Sequence, residues 1–153
     1  MSPKGKGAPL RALFDVNVLI ALLDEQHIGH RAATDWFRHN LDAGWASSPI
    51  TENGATRIMA SPGYPNPLPV AEIVPRLAQA MDGGDHRFWP DDVSLTDASI
   101  FDVGALLGPK QITDRYLLAL AVRNNGRLVT FDQSMRPTAA LGAGPKHLVQ
   151  LRG

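Results

Sequence analysis

The chain has 153 residues, 44% of them hydrophobic and 20% charged, which suits one globular domain with a real apolar core and not a disordered segment. It has no cysteine, so disulfides, thiolate catalysis and cysteine-based zinc sites are excluded. Its 15 basic and 15 acidic residues cancel, so net charge gives no signal for a nucleic-acid partner.

Residues 1–9 are rich in Gly, Pro and Lys and read as a loose tail before a single domain over residues 10–153. There is no apolar signal-peptide segment and no run of membrane-spanning length, so a soluble cytoplasmic protein is expected. "RALFDV", Arg11 to Val16, has the character of a buried strand. "NVLIALLDE" follows with helical spacing at Val18, Ala21 and Leu22, and Asn17 is its expected N-cap. "HRAATDWFRHNLDAG" predicts a second amphipathic helix with Ala33, Trp36 and Phe37 on its apolar stripe and Gly44 closing it. "WAS" is a short strand. "SPITENGATRIMAS" predicts a helix capped by Ser48 with Pro49 at its first position.

After the loop "PGYPNPLP", the stretch "VAEIVPRLAQAMDGG" has helical periodicity, with Pro75 expected to kink it or shift its start. "HRFWP" is a strand, and "TDASIFDVGALLG" is expected to be a short helix capped by Thr96 or Asp97. "TDRYLLALAVRNNG" is the clearest helix, with Thr113 or Asp114 as its cap and Gly126 as its stop. "RLVTFD" and "HLVQL" supply two more strands. Strands separated by helices imply parallel crossovers, so the fold class is α/β, a central mainly parallel sheet between helical layers. In such sheets the site lies beyond the carboxyl ends of the strands.

That rule turns scattered acids into neighbours. "ALFD" and "LVTFD" end strands at Asp15 and Asp132, Asp114 opens a helix, and Glu52 lies in the first turn after "WASSP". Singly, each reads as a turn former or a first-turn acid. Together on one sheet edge they would repel unless a cation joined them, and hard oxygen donors select Mg²⁺ or Mn²⁺. Such ions can activate water and polarise a phosphodiester without a His or Cys nucleophile. The charge distribution leaves two readings open. Six aspartates from Asp82 to Asp102 face one base, and seven bases from Lys110 to Arg152 face two acids. These are either two solvated faces or a basic rim for an anionic polymer.

"LFDVNVLIALL", "TENGATRIM" and "TDRYLLALAVRNNGRLVTFD" resemble, in that order, the motif blocks of PIN-domain ribonucleases, most closely the VapC toxins of bacterial toxin–antitoxin pairs. The resemblance runs from about Leu10 to Leu151 and places the family's acids on Asp15, Glu52, Asp114 and Asp132. It implies a PIN-like three-layer α/β/α fold and a metal-dependent endoribonuclease, with Asp15, Asp114 and Asp132 as ligands of Mg²⁺ or Mn²⁺. Asn17 resembles a residue that supports the acids in the family, and Thr113 and Thr130 stand where they could orient them, or serve only as caps and strand residues. Arg57 and Arg115 are candidate substrate contacts, and a structural salt bridge is an equal reading for Arg57. The resemblance also implies an RNA substrate, a VapB-like antitoxin and a homodimer, with no membrane partner.

Other readings fit less well. "HIGH", His27 to His30, is the letter signature of class I aminoacyl-tRNA synthetases, but here it follows a completed helix in too short a chain, so a connector is expected. "FDVNVL" is similar to the nucleophilic loop of haloacid-dehalogenase-like phosphatases, but Asn17 stands where their second Asp belongs. A phosphate-receiver domain would need paired acids that are absent. A catalytically silent RNA- or protein-binding module with the same fold remains the alternative to an enzyme.

Overall fold

The computed structural model describes residues 9–105 and 108–152; the tail expected at 1–9 lies almost wholly outside them. Five strands form one all-parallel sheet in the order β3-β2-β1-β4-β5. They are β1 (Arg11–Phe14), β2 (Trp45–Ser47), β3 (His86–Phe88), β4 (Gly126–Thr130) and β5 (Leu148–Gln150). Helices α1 (Val16–Leu23), α2 (His30–His39), α3 (Pro49–Met59), α4 (Val70–Asp82) and α5 (Ile112–Arg123) connect them.

Strand alternation decides the layers. Ala12, Phe14, Trp45 and Val129 pack with side chains of α1 to α4 on one face, while Leu13, Ala46 and Leu128 pack with α5 on the other. The chain is therefore a three-layer α/β/α sandwich, as expected. The connections from β1 lead outward to β2 and β3; the next crosses back to β4 on the other side of β1. The order thus reverses between β1 and β4, the place where α/β sheets open a crevice at their carboxyl ends.

Several local expectations need correction, each for a physical reason. Asn17 does not cap α1: Asp15 does, in extended backbone, its Oδ1 accepting from the Val18 N–H at 3.0 Å. Neither Thr113 nor Asp114 caps α5, which begins at Ile112 after a turn and carries both residues in its first turn. Pro75 does not shift the start of α4, which begins at Val70 and runs through it. It lies on the exposed side of that helix, where the Ala71 carbonyl it leaves unbonded can meet water.

The segment from Thr96 forms no α-helix among its described residues. Asp97 accepts from the Ser99 N–H and hydroxyl, and Asp102 from the Gly104 N–H, so their side chains compete with helical bonding. The turns they make lay Phe101 against Tyr116 at 6.3 Å and bridge it to Ala140. This cover explains why α5 is buried on nearly every side and not along one stripe, from Arg115 to Ala121. Gly126 does not stop α5 either; Asn125, at φ 54°, makes the turn. Gly126 opens β4, where a Cβ would stand 2.5 Å from the Trp89 ring and 2.8 Å from the Arg11 carbonyl oxygen.

Candidate active site

Asp15 follows β1 directly, and Thr130 ends β4 beside it. The Thr130 hydroxyl donates to Asp15 Oδ2 and accepts from the Asp132 N–H at 3.1 Å. One buried side chain therefore ties together the two strand-end acids. Asp15 is 5% exposed, and burial lifts its carboxyl from an ordinary 3.8 to about 6 against the opposing effect of the Thr130 and Val18 bonds. The nearby charge of Asp114 adds to the rise.

Asp114, on the first turn of α5, is also raised, by burial first and then by the charge of Asp132. Asp132 goes the other way. Ser134 donates both its hydroxyl, at 2.6 Å, and its backbone N–H, at 2.9 Å, to Asp132 Oδ1, which holds that carboxyl below the usual range. The repulsion thus runs Asp15–Asp114–Asp132, bringing three of the four expected acids into one electrostatic group. The group is not a closed cage: among the described residues no three His, Asp or Glu side chains gather tightly enough to hold an ion by themselves.

Glu52 has a partner of its own. Its Oε2 accepts from the Ser47 hydroxyl at 2.6 Å, at the carboxyl end of β2. Ser47 Oγ also lies 2.8 Å from His86 Nε2; with its one proton on Glu52, the hydroxyl accepts from the imidazole. Burial lowers the His86 pKa, which favours the neutral ring.

The remaining expected residues separate into outward and inward. Asn17, Arg57 and Thr113 are exposed and line a cavity of about 500 Å³ between the starts of α1, α3 and α5. Arg57 makes no ion pair among the described residues. Thr113 makes no side-chain hydrogen bond to an acid among the described residues. Arg115 points inward instead, 7% exposed, with its guanidinium donating to the Arg136 carbonyl. It sits where its charge lowers both Asp114 and Asp132.

The basic rim mostly dissolves into structure. Arg123 pairs with Asp92 at 3.2 Å, Arg127 lies 4.8 Å over the Trp36 ring, and Arg136 donates to the Gln133 and Met135 carbonyls. Sequence reasoning also missed Asp91. It lines the same cavity as Arg57, accepts from the Ile50 N–H at 3.0 Å at the start of α3, and keeps Oδ1 buried without a partner. The signal was available, since Asp91 lies just past the end of β3, as Asp15 and Asp132 do for their strands.

"HIGH" is a connector, as expected. His27 Nδ1 accepts from the Gly29 N–H at 2.8 Å, and His30 Nδ1 bonds the Ala21 carbonyl at 2.7 Å.

A parallel α/β sandwich with aspartates at its switch point defines a class, and comparison agrees. The family model of the PIN domain matches residues 12–141, so the chain belongs to the PIN-domain family. It is similar to named ribonucleases of Mycobacterium tuberculosis. It is 49% identical to Ribonuclease VapC44 over 142 residues, which cover 93% of this chain and all of that protein. To Ribonuclease VapC39 it is 42% identical over 87% of this chain and 96% of the relative, and to Ribonuclease VapC29 it is 34% identical over 82% and 89%.

Proposed function

We propose that this protein is an endoribonuclease toxin of the VapC type, hydrolysing RNA phosphodiester bonds with Mg²⁺ or Mn²⁺ held at Asp15, Asp114 and Asp132. Near-full-length similarity to proteins named as VapC ribonucleases supports the activity. The observation that carries the site is the Thr130 hydroxyl joining Asp15 to the Asp132 N–H at the strand ends, with Asp114 near enough for its charge to raise Asp15 and for that of Asp132 to raise it.

The donor set fits a hard divalent cation. All its donors are carboxylate oxygens, and Asp114 accepts no hydrogen bond among the described residues that would compete. An ion that keeps several waters and takes one or two carboxylates directly does not require a closed cage of three. Bound there, the ion would supply Lewis acidity toward a phosphodiester and toward water.

The chain's own residues do the rest. Thr130 and Ser134 fix the carboxylates of Asp15 and Asp132. The charge of Arg115 favours the ionised forms of Asp114 and Asp132. We assign Glu52 the task of accepting a proton from water, since only one of its oxygens is engaged, by Ser47. Asn17 and Arg57 face the adjoining cavity and would contact the RNA backbone. The same reading carries a VapB-like antitoxin whose Arg or Lys occupies the acidic edge, and a homodimer.

The test is a mixed RNA pool incubated with purified protein, with Mg²⁺ or Mn²⁺ and with EDTA, beside Asp15→Asn and Asp114→Asn. Cleavage by the parent alone, and only with metal, is the expected outcome. Full cleavage by either variant, or in EDTA, contradicts the proposal.

A further inference from the structure

"HIGH" holds its connector against β4 for a reason the fold alone does not supply. The His27 ring lies nearly parallel to Phe131, with 14° between planes and 6.5 Å between centroids. Gly29 is required there, because a Cβ would come within 2.6 Å of the Phe131 ring. Between His27 and Gly29 lies Ile28, 95% exposed, the most exposed large hydrophobic side chain among the described residues. A connector needs no such isoleucine.

These residues line a cavity of about 540 Å³ with Asn17 and Arg152. Two of its lining residues lie next to the acids along the chain: Asn17 is two residues from Asp15, and Phe131 immediately precedes Asp132. Asn17 also lines the cavity that contains Arg57, so the two clefts meet at that residue. This one has no acid in its lining and one cation, Arg152, exposed and without an ion pair among the described residues. Most other C-terminal arginines are tied up in structure, which sets Arg152 apart.

We propose that this cleft seats an unpaired nucleobase of the RNA next to the scissile phosphate, between Phe131, His27 and Ile28, with Arg152 on the adjacent backbone phosphate. The inference rests on the ribonuclease reading and adds where the substrate lies. Aromatic and apolar walls with a nearby cation match single-stranded nucleic acid, whose bases have apolar faces and whose backbone is anionic. The acidic edge beside the cleft repels the same backbone, so a cation is needed to hold it there. His27, with Nδ1 engaged by Gly29, keeps Nε2 as its remaining polar atom for a base edge.

The experiment reads binding in EDTA, apart from cleavage. The probes are a fluorescein-labelled mixed-sequence single-stranded RNA of about twelve nucleotides, spanning a site of the size such grooves cover, and the same backbone with abasic nucleotides. The variants are Ile28→Ala, Phe131→Leu and Arg152→Gln, each checked by thermal melting. The parent is expected to prefer the base-bearing RNA. Ile28→Ala and Phe131→Leu should shrink that preference by about five-fold or more, as lost stacking does. Arg152→Gln should weaken both RNAs alike and reduce the salt slope by about one.

Parent-like binding by all three variants overturns the cleft while leaving the nuclease reading intact. An equal loss on both RNAs in the two apolar variants overturns base seating. Failure of the parent to bind either RNA in EDTA overturns the cleft, while the nuclease reading stands or falls on metal-dependent cleavage. Selective binding with no metal-dependent cleavage would sustain the cleft and remove the nuclease.

Discussion

An aspartate with 5% of its surface exposed must be neutral, partnered or joined to a cation, and Asp15 has only Thr130 and backbone N–H groups against the charge of Asp114. Its folded pKa of about 6 means that the folded chain binds more protons than the unfolded chain between the ordinary 3.8 and about 6. Stability therefore falls as pH rises through that window, by on the order of 3 kcal/mol, and stays lowered above it. Asp15→Asn, which keeps an N-cap acceptor, is expected to raise Tm in EDTA at about pH 7.5 and to lose that gain near pH 4. Melts across this range decide it: a variant no more stable at neutral pH removes the burial cost. Thr130→Val takes away the bond that lowers the Asp15 pKa and leaves the Asp132 N–H without its acceptor. It should cost about 1–3 kcal/mol and move the acid limb of cleavage to higher pH, where an unchanged limb would show that Thr130 does not tune Asp15.

Among the elements, α3 was the most readable. Ser48 caps it and Pro49 sits at the first position, as the sequence predicts, and Thr51 makes the cap reciprocal. The glycine of "TENG" has a reason the pattern did not reveal. A Cβ on Gly54 would lie 2.8 Å from Val16 Cγ2, so Gly54 lets α3 close onto α1, which carries Asn17. Gly54→Ala is expected to cost about 1–3 kcal/mol by overpacking and to reduce cleavage by separating Glu52 and Arg57 from Asp15. A melt and a cleavage rate both equal to the parent's would remove that role. Where the readings of elements failed, short-range rivals won. Aspartate side chains captured the backbone from Thr96 onward, and caps moved because Asp15, not Asn17, had extended backbone before α1. No period in the sequence records either event, because both depend on which single side chain reaches a free N–H.

For the whole molecule, the alternation of apolar strands and helices carried the layer architecture, and the strand-end rule brought Asp15, Asp114 and Asp132 together from across the chain. It did not show how Glu52 is held, because its partner Ser47 is a strand-end hydroxyl with no distinctive sequence context. Nor could it tell free arginines from engaged ones. Arg115, Arg123 and Arg127 look alike in a charge count, yet one is buried, one paired and one stacked. The central claim is that the three aspartates form a divalent-cation site. Its most direct measurement is calorimetric titration of the parent and Asp15→Asn with Mn²⁺ at about pH 6, in two buffers of different ionisation enthalpy. The account predicts saturable binding by the parent with release of part of a proton, since the ion must displace the one Asp15 retains, and loss of that binding and release in the variant. Absence of binding, or binding that Asp15→Asn leaves unchanged, would contradict it.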